Sequence, residues 1–335
     1  MMLSIVVPCY NEEAALPETV NRLMRLVRGL AAEGRIERGS HVVLVDDGSR
    51  DRTWSLIETY AAAHPEIRGI KLSRNRGHQN ALLAGLLGAQ GDITISVDAD
   101  LQDDLNAIGE MIAAHAGGAD IVYGVRKRRD TDSFFKRFSA EAYYWLLARM
   151  GVDIVFNHAD YRLLSRRALD ALKQFDESNL FLRGIIPQLG FRTAVVYYDR
   201  AERYAGESKY PLRKMLSFAW EGITSFSAAP LRLITGLGVL ISLGSFLISL
   251  WAIWVRVFSA SAVPGWASTV VPLYFLGGVQ LLCTGIIGEY LAKIYMETKR
   301  RPHFIVESRA GQWPDNPVSF RAREQGAGSP GQGHG

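Results

Sequence analysis

The sequence predicts an α/β fold over about the first 200 residues, followed by two long apolar helices. Short apolar segments alternate with helical stretches in the first part, as in sheets covered by helices. Two later segments each run for about eighteen or more positions without Asp, Glu, Lys or Arg. The chain has 335 residues, 48% of them hydrophobic and 21% charged, which excludes a disordered protein and a small disulfide scaffold.

Nine segments are predicted as regular elements of this α/β part. The strands are Leu3–Pro8, His41–Asp46, Gly69–Leu72, Ile93–Asp98 and Ile121–Gly124. The helices are Ala14–Leu30, Thr53–Ala63, Asn80–Ala89 and Leu105–Ala116. Because a helix separates each strand from the next, we expect a mainly parallel sheet that binds ligands at the carboxyl ends of its strands.

Two further segments, Ser133–Met150 and Pro211–Ala229, mix aromatic and cationic residues. Helices of this composition can lie in the headgroup layer of a membrane. The alternative is that each packs its apolar side on the α/β domain. Both interpretations stay open, and the membrane one is favoured for the second segment because an apolar run follows it directly.

The two apolar runs, Ile234–Val255 and Val270–Gly288, are long enough to cross a bilayer. Basic residues flank the pair on its outer sides, while the linker between the runs holds a single basic residue, Arg256. By the positive-inside rule, both flanks are expected in the cytoplasm and the chain in the inner membrane. The alternative is two buried helices of a soluble protein. After about Ser308 the sequence is rich in Gly, Pro and Gln, and we expect a mobile tail.

The net charge argues against nucleic acid as a partner. Lys and Arg outnumber Asp and Glu by 38 to 34, a formal charge of +4. The basic residues cluster beside apolar segments, which favours a membrane surface over a nucleic acid.

The segment VDADLQDD ends an apolar strand with carboxylates at Asp98 and Asp100, followed by Gln102. Hard oxygen ligands at this spacing suit Mg²⁺ or Mn²⁺, which would bridge phosphates. The alternative is an ordinary acidic loop. Asp103 and Asp104 are expected to face solvent or to cap a helix.

Two other predicted strand ends are polar: PCYNEE at residues 8–13 and VDDGSRD at residues 45–51. Their side chains and backbone N–H groups could hold a nucleotide base and ribose, although Asn11, Asp47 and Ser49 are also good helix caps. The chain has no P-loop and no strand-linked GxGxxG motif.

Seven segments, taken in order, carry a resemblance to a known family that covers about Leu3 to Pro302. They are SIVVPCYNEE, VLVDDGSRD, SRNRGHQNAL, VDADLQDD, ADYRLLSR, GESKY and GIIGEYLAKIYMETKRRP. The sequence resembles the family-2 glycosyltransferases that load sugars onto polyprenyl phosphate. Within these it is similar to bacterial glucosyl transferases acting on undecaprenyl phosphate, relatives of dolichol-phosphate mannose synthase. Where many relatives read DADLQDP or DADLQHP, this chain has Asp104, a departure in the following loop.

The resemblance implies a GT-A (Rossmann-like) domain over residues 1–210, a juxtamembrane amphipathic helix over 211–232, two transmembrane helices within 233–292, and a cytoplasmic basic segment with a flexible tail over 293–335. It also implies a nucleotide-sugar donor, a divalent metal and, in some members, tetramers. The residues that it assigns to the donor are Pro8, Tyr10, Asn11, Glu12, Asp46, Asp47 and Asp98, with Asp47 on the base. It assigns Asp98, Asp100 and Gln102 to the metal, Arg126, Arg203, Ser208 and Lys209 to donor or lipid phosphates, and Asp160 to a base or an acceptor-positioning group.

The implied reaction transfers a hexose with inversion, from UDP-glucose as first choice, to undecaprenyl phosphate. GDP-mannose, UDP-N-acetylglucosamine and a modified arabinose donor remain open. A phosphate monoester is already largely ionised at neutral pH, so we expect Asp160 mainly to orient the acceptor. The other readings are a non-catalytic nucleotide-sugar-binding scaffold and a processive polysaccharide synthase, but the chain lacks the QxxRW motif usual in such synthases.

Overall fold

The computed structural model describes residues 1–100, 102–126, 158–175, 177, 181–199, 229–258 and 266–313. They belong to two compact units. One takes its residues from Met1–Asp132, Val155–Ser208 and Pro302–Gly335, and the other from Ser133–Ile154 and Lys209–Arg301. The predicted amphipathic segment Ser133–Met150 lies outside the described residues, as does nearly all of Pro211–Ala229.

The first unit begins with four parallel strands and four helices in alternation. The strands are β1 (Leu3–Cys9), β2 (His41–Asp46), β3 (Ile67–Leu72) and β4 (Ile93–Ser96), and the helices are α1 (Leu16–Ala32), α2 (Thr53–Ala63), α3 (His78–Gly88) and α4 (Ala107–Ala116). Every residue of β1 and β2 is buried, as expected for strands covered on both faces. The predicted elements are therefore confirmed to within a few residues at their ends.

The next part of the sheet contains the predicted strand β5 (Ile121–Arg126) and two strands that the sequence did not predict, β6 (His158–Ser165) and β7 (Thr193–Tyr198). Strand β5 is followed by β6, the short helices α5 (Arg166–Leu172) and α6 (Leu182–Gln188), and β7. Strand β6 lies between β4 and β5 and is antiparallel to both, while β7 is parallel to β5. The α/β class is confirmed, and the sheet is mixed.

The last described strand, β8 (Val306–Ala310), pairs antiparallel with β3 and completes the order β7-β5-β6-β4-β1-β2-β3-β8. The mobile tail was expected to begin at about Ser308, inside this strand, so its predicted start is wrong. The Trp313 indole N–H donates to the Ala310 carbonyl at 3.0 Å, so the ordered segment extends beyond β8.

The second unit contains two long helices, α7 (Ala229–Phe258) and α8 (Trp266–Thr298), which overlap the two predicted apolar runs. Across the described part of the chain, no helix combines the length and the apolar character needed to traverse a bilayer. The prediction that these two helices are transmembrane therefore has no support from the structure.

The topology brings the polar motifs to one edge of the sheet. Strands β1, β2, β4 and β5 end there, and the antiparallel β6 begins there. The loops after β1, β2 and β4 thus share an edge with Arg126 and Asp160, as expected for ligand sites of α/β sheets.

Candidate active site

The loops that follow β1 and β2 are fastened to each other by hydrogen bonds. Asn11 has a φ of 55°, in the left-handed region that Asn tolerates better than most residues. Its backbone N–H donates to Ser49 Oγ at 2.9 Å, and its Oδ1 accepts from the Arg50 N–H at 2.9 Å. The Glu12 N–H donates to Thr53 Oγ1 at 2.9 Å. These contacts hold the side chain of Tyr10 at the surface of the edge.

Asp46 and Asp47, at the end of β2, are both buried. Burial raises the pKa of Asp46 despite a hydrogen bond from the Ser49 N–H. Asp47 Oδ1 accepts from the Arg76 N–H at 2.7 Å and Oδ2 from the Gly77 N–H at 2.9 Å. The resemblance assigns Asp47 to the base, whereas in the structure its carboxylate fixes the loop before α3.

The predicted metal ligands follow β4. Burial raises the pKa of Asp98 to about 6, and the charges of Asp103, Asp160 and Asp100 contribute in the same direction. Asp100 Oδ1 accepts from the Gln102 N–H at 3.2 Å. Among the residues that the structure describes, no three His, Cys, Asp or Glu side chains are grouped to hold a metal ion. The oxygen donors and the crowded negative charge nevertheless fit a divalent cation, which would relieve the repulsion around Asp98.

The sequence predicts that Asp103 faces solvent or caps a helix, but in the structure its side chain is buried. It is 3% exposed, and its Oδ1 accepts from the Tyr198 hydroxyl at 2.6 Å. Arg126 lies beside it, with Nη2 at 3.8 Å from Asp103 Oδ1 and Nε donating to the Tyr198 hydroxyl at 3.2 Å. The burial is possible because β5 and β7 bring these two partners to the loop. Asp104 is half-buried, and its Oδ1 accepts from the N–H of Asn106, the residue that precedes α4.

Asp160, near the start of β6, is buried among cationic and polar side chains. Arg162 donates to its Oδ1, and Arg183 donates to both oxygens through Nε and Nη2. Gln79 Nε2 donates to Oδ2 at 3.1 Å, and His78 Nε2 lies 3.4 Å from the same oxygen. His78 Nε2 is also 3.7 Å from Asp98 Oδ1, so His78 links the two predicted catalytic carboxylates.

Burial by itself would raise the pKa of Asp160. The charge of Arg162, the hydrogen bond from His78 and the contacts of Arg183 outweigh burial and hold that pKa well below its usual range. For His78, burial lowers the pKa, but the hydrogen bond to Asp160 and the charges of Asp98 and Asp160 raise it overall. Asp160 is therefore a permanent anion at neutral pH.

Four residues around Asp160 were not predicted to be functional: His78, Gln79, Arg162 and Arg183. Two had a signal. Arg162 lies two positions from Asp160 in a strand, which puts both on one face, and His78 and Gln79 belong to the SRNRGHQNAL segment. Arg183 comes from α6 and has no motif around it. The predicted phosphate ligands Arg203, Ser208 and Lys209 lie outside the described residues.

Comparison with known proteins gives one family. Residues 4–173 match the model of glycosyl transferase family 2. The uncharacterized glycosyltransferase YkoT of Bacillus subtilis (strain 168) is 47% identical over 91% of this chain and 91% of its own length. The bactoprenol glucosyl transferase of Shigella phage SfX is 40% identical over 92% of this chain and 100% of its own. The crystal structure of glucosyl-3-phosphoglycerate synthase from Mycobacterium tuberculosis with phosphoglyceric acid has a TM-score of 0.45 and 20% identity, covering 67% of this chain and 78% of that one.

Proposed function

Because the chain belongs to glycosyl transferase family 2, we propose that it transfers a hexose from a nucleotide sugar to a polyprenyl phosphate. The observation that carries this proposal is the end-to-end similarity to a protein named bactoprenol glucosyl transferase. The edge of the sheet supports it, since acidic and cationic side chains suited to a diphosphate and its counter-charge meet there.

UDP-glucose is the first candidate for the donor, in keeping with the glucosyl transferases among the relatives. GDP-mannose, UDP-N-acetylglucosamine and a modified arabinose donor are the alternatives. The loops after β1 and β2 support a nucleoside site, because their mutual hydrogen bonds hold their backbone rigidly at the edge.

In the proposed reaction an oxygen of the lipid phosphate attacks the anomeric carbon of the sugar. The bond from that carbon to the donor diphosphate breaks, and the nucleoside diphosphate leaves with the electron pair. Displacement in one step inverts the anomeric centre, so an α-linked donor gives a β-linked lipid product. The second pKa of a phosphate monoester is about 6, so the acceptor needs little help to ionise at neutral pH.

Charge neutralisation is then the main task of the protein in this mechanism. Arg126, beside Asp103 and Tyr198, is one cation available for it. Asp98, Asp100 and Gln102 would hold Mg²⁺ or Mn²⁺, which when bound supplies positive charge to the leaving diphosphate.

We further propose that the enzyme works at the cytoplasmic face of the inner membrane, where its lipid substrate resides. In support, α7 and α8 carry exposed large apolar side chains, among them Leu240 at 71% and Leu281 at 75%. Exposed apolar surface of this extent favours contact with lipid over contact with water. Fractionation of cells that express the full chain would test this, and recovery in the water-soluble fraction would contradict it.

The decisive experiment incubates the full chain with undecaprenyl phosphate and each nucleotide sugar in turn, with Mg²⁺, with Mn²⁺ and with a chelator. We expect the mass of one hexose on the lipid with one donor only, and no product under chelation. A lipid-linked polymer would instead indicate a processive synthase. Donor binding without any product would indicate a non-catalytic scaffold.

A further inference from the structure

Asp160 has more hydrogen-bonding neighbours than an active base can accommodate. Two contacts converge on Oδ1, from Arg162 and from Arg183 Nε, and three on Oδ2, from Gln79, His78 and Arg183 Nη2. A carboxylate offers about four lone-pair sites in all. Five contacts from four neighbouring residues on two oxygens leave no site directed at an incoming proton.

The neighbours of Asp160 differ in their access to solvent. Asp160 is 6% exposed and Arg162 only 1%, so this ion pair is internal to the protein. Arg183 and His78 are 42% and 44% exposed, so each presents part of its cationic or polar surface outward while its other side contacts the carboxylate. The charge of Arg162 offsets that of Asp160. Arg183 is thus a second guanidinium group on the same carboxylate, and the one that reaches the surface at the substrate edge.

We propose that Asp160 is a positioning residue, which holds Arg183, with His78 beside it, as a binding pair for a substrate phosphate. This inference rests on the proposed function and deepens it. It makes Asp160 act through a guanidinium group, whose planar set of donors suits phosphate oxygens, and not on the acceptor directly. The low pKa of Asp160 agrees with this role, since a carboxylate that stays ionised is a dependable anchor and a poor base.

The phosphate could belong to the lipid acceptor or to the donor diphosphate, because both present the same oxygens. The two sources are distinguished by which Michaelis constant changes. Loss of Arg183 should raise the KM for undecaprenyl phosphate if the acceptor is bound, or the KM for the nucleotide sugar if the donor is bound.

The test compares Arg183→Ala, Arg183→Lys, Asp160→Asn and the double variant Asp160→Asn with Arg183→Ala. A charge-assisted phosphate contact predicts that Arg183→Ala raises one KM on the order of 10- to 100-fold, with partial recovery in Arg183→Lys and on adding guanidinium ion. Asp160→Asn should lose a similar factor, and the double variant should be no worse than the more affected single variant.

Arg167→Ala is the matched control. Arg167 is also an exposed arginine held by a buried aspartate, Asp120, but that pair lies at the opposite edge of the sheet. Its kinetic constants should match those of the wild type. Thermal unfolding of each variant separates misfolding from loss of binding, which matters most for Asp160→Asn because it leaves Arg162 buried beside a neutral amide.

Two results would overturn the inference: unchanged kinetics in Arg183→Ala, or multiplying losses in the double variant. If the wild-type chain transfers no sugar at all, the proposed function fails on its own. Calorimetric titration with UDP and with undecaprenyl phosphate in micelles then tests phosphate binding directly. If wild type and Arg183→Ala bind each of these two ligands with equal affinity, the inference is overturned.

Discussion

Asp47 holds Gly77 in place across the candidate site: its Oδ2 accepts a hydrogen bond from the Gly77 backbone N–H at 2.9 Å. Gly77 has a φ of 87°, in the left-handed region that glycine adopts without strain, and it immediately precedes α3. The contact therefore sets where α3 begins, and with it the positions of His78 and Gln79 beside Asp160.

Asp47→Asn should disturb this loop. An amide can accept from only one of the two N–H groups, so either the Arg76 N–H loses its acceptor or the Gly77 N–H keeps only Asn75 Oδ1, at 3.2 Å. We expect a loss of about 1–3 kcal/mol in the free energy of unfolding, measured with urea, and a raised KM for the donor. Asp170→Asn, in an exposed pair with Lys173, is the control and should change stability by less than about 1 kcal/mol. Equal stability of the two variants would contradict the role assigned to Asp47.

We expect Trp313, which follows β8, to stabilise the first unit by holding β8 in place. The guanidinium groups of Arg68 and Arg309 lie 5.5 and 5.1 Å from the centre of its ring. Trp313→Ala removes both cation–π contacts and apolar burial, and we expect a loss of about 2 kcal/mol in urea unfolding. Trp313→Phe keeps a ring and should lose less than half as much. A stability that is the same in all three proteins would show that β8 is held without this side chain.

Local pattern was enough to predict β1 to β5 and the helices between them, because buried parallel strands are continuous apolar runs. It was also enough to place Asp46 and Asp98 at a common edge, whereas Asp160 was named only from the family resemblance. The strands that were missed, β6, β7 and β8, depend on pairing between distant parts of the chain: Lys71 of β3 meets Ser308 of β8. A propensity read over a short window carries no information about such a partner.

The same reason explains the errors within the site. Asp103 looked like a surface residue because its partners, Arg126 and Tyr198, come from strands far along the chain. Arg183 had no signal for the same reason. Asn11 was recognised as a polar turn residue, but its role in joining two loops could only be seen once β1 and β2 were adjacent.

His41 should make stability depend on pH at the edge of the sheet opposite the site. It is 1% exposed, and burial and the charge of Arg68 lower its pKa from 6.5 to about 4. Arg68 can only donate, so His41 Nε2 accepts from it and the neutral ring is the form that fits. The unfolded chain then binds more protons than the folded chain between pH 6.5 and about 4.

Stability should therefore fall as the pH drops through that range, by about 3 kcal/mol from this residue. His41→Gln cannot titrate, so the difference in unfolding free energy between wild type and variant should shrink toward pH 4. Urea unfolding at several pH values measures this difference. Parallel curves for the two proteins would contradict the assignment, and transfer activity at pH 7.5 should be unaffected because His41 is remote from the site.

We expect Asp98 to lower the stability of the folded protein while it serves the transfer activity. In the metal-free protein its half-buried charge lies near those of Asp103, Asp160 and Asp100, which repel it, while His78 attracts it. Asp98→Asn removes this repulsion, so we expect a higher unfolding temperature at pH 7.5 in a chelator, together with transfer reduced on the order of 100-fold.

Added Mn²⁺ should raise the unfolding temperature of the wild type and leave that of the variant unchanged. Asp104→Asn, in the same loop, should alter neither property. If Asp98→Asn proves less stable than wild type and keeps its activity, Asp98 neither bears the repulsion nor holds the metal.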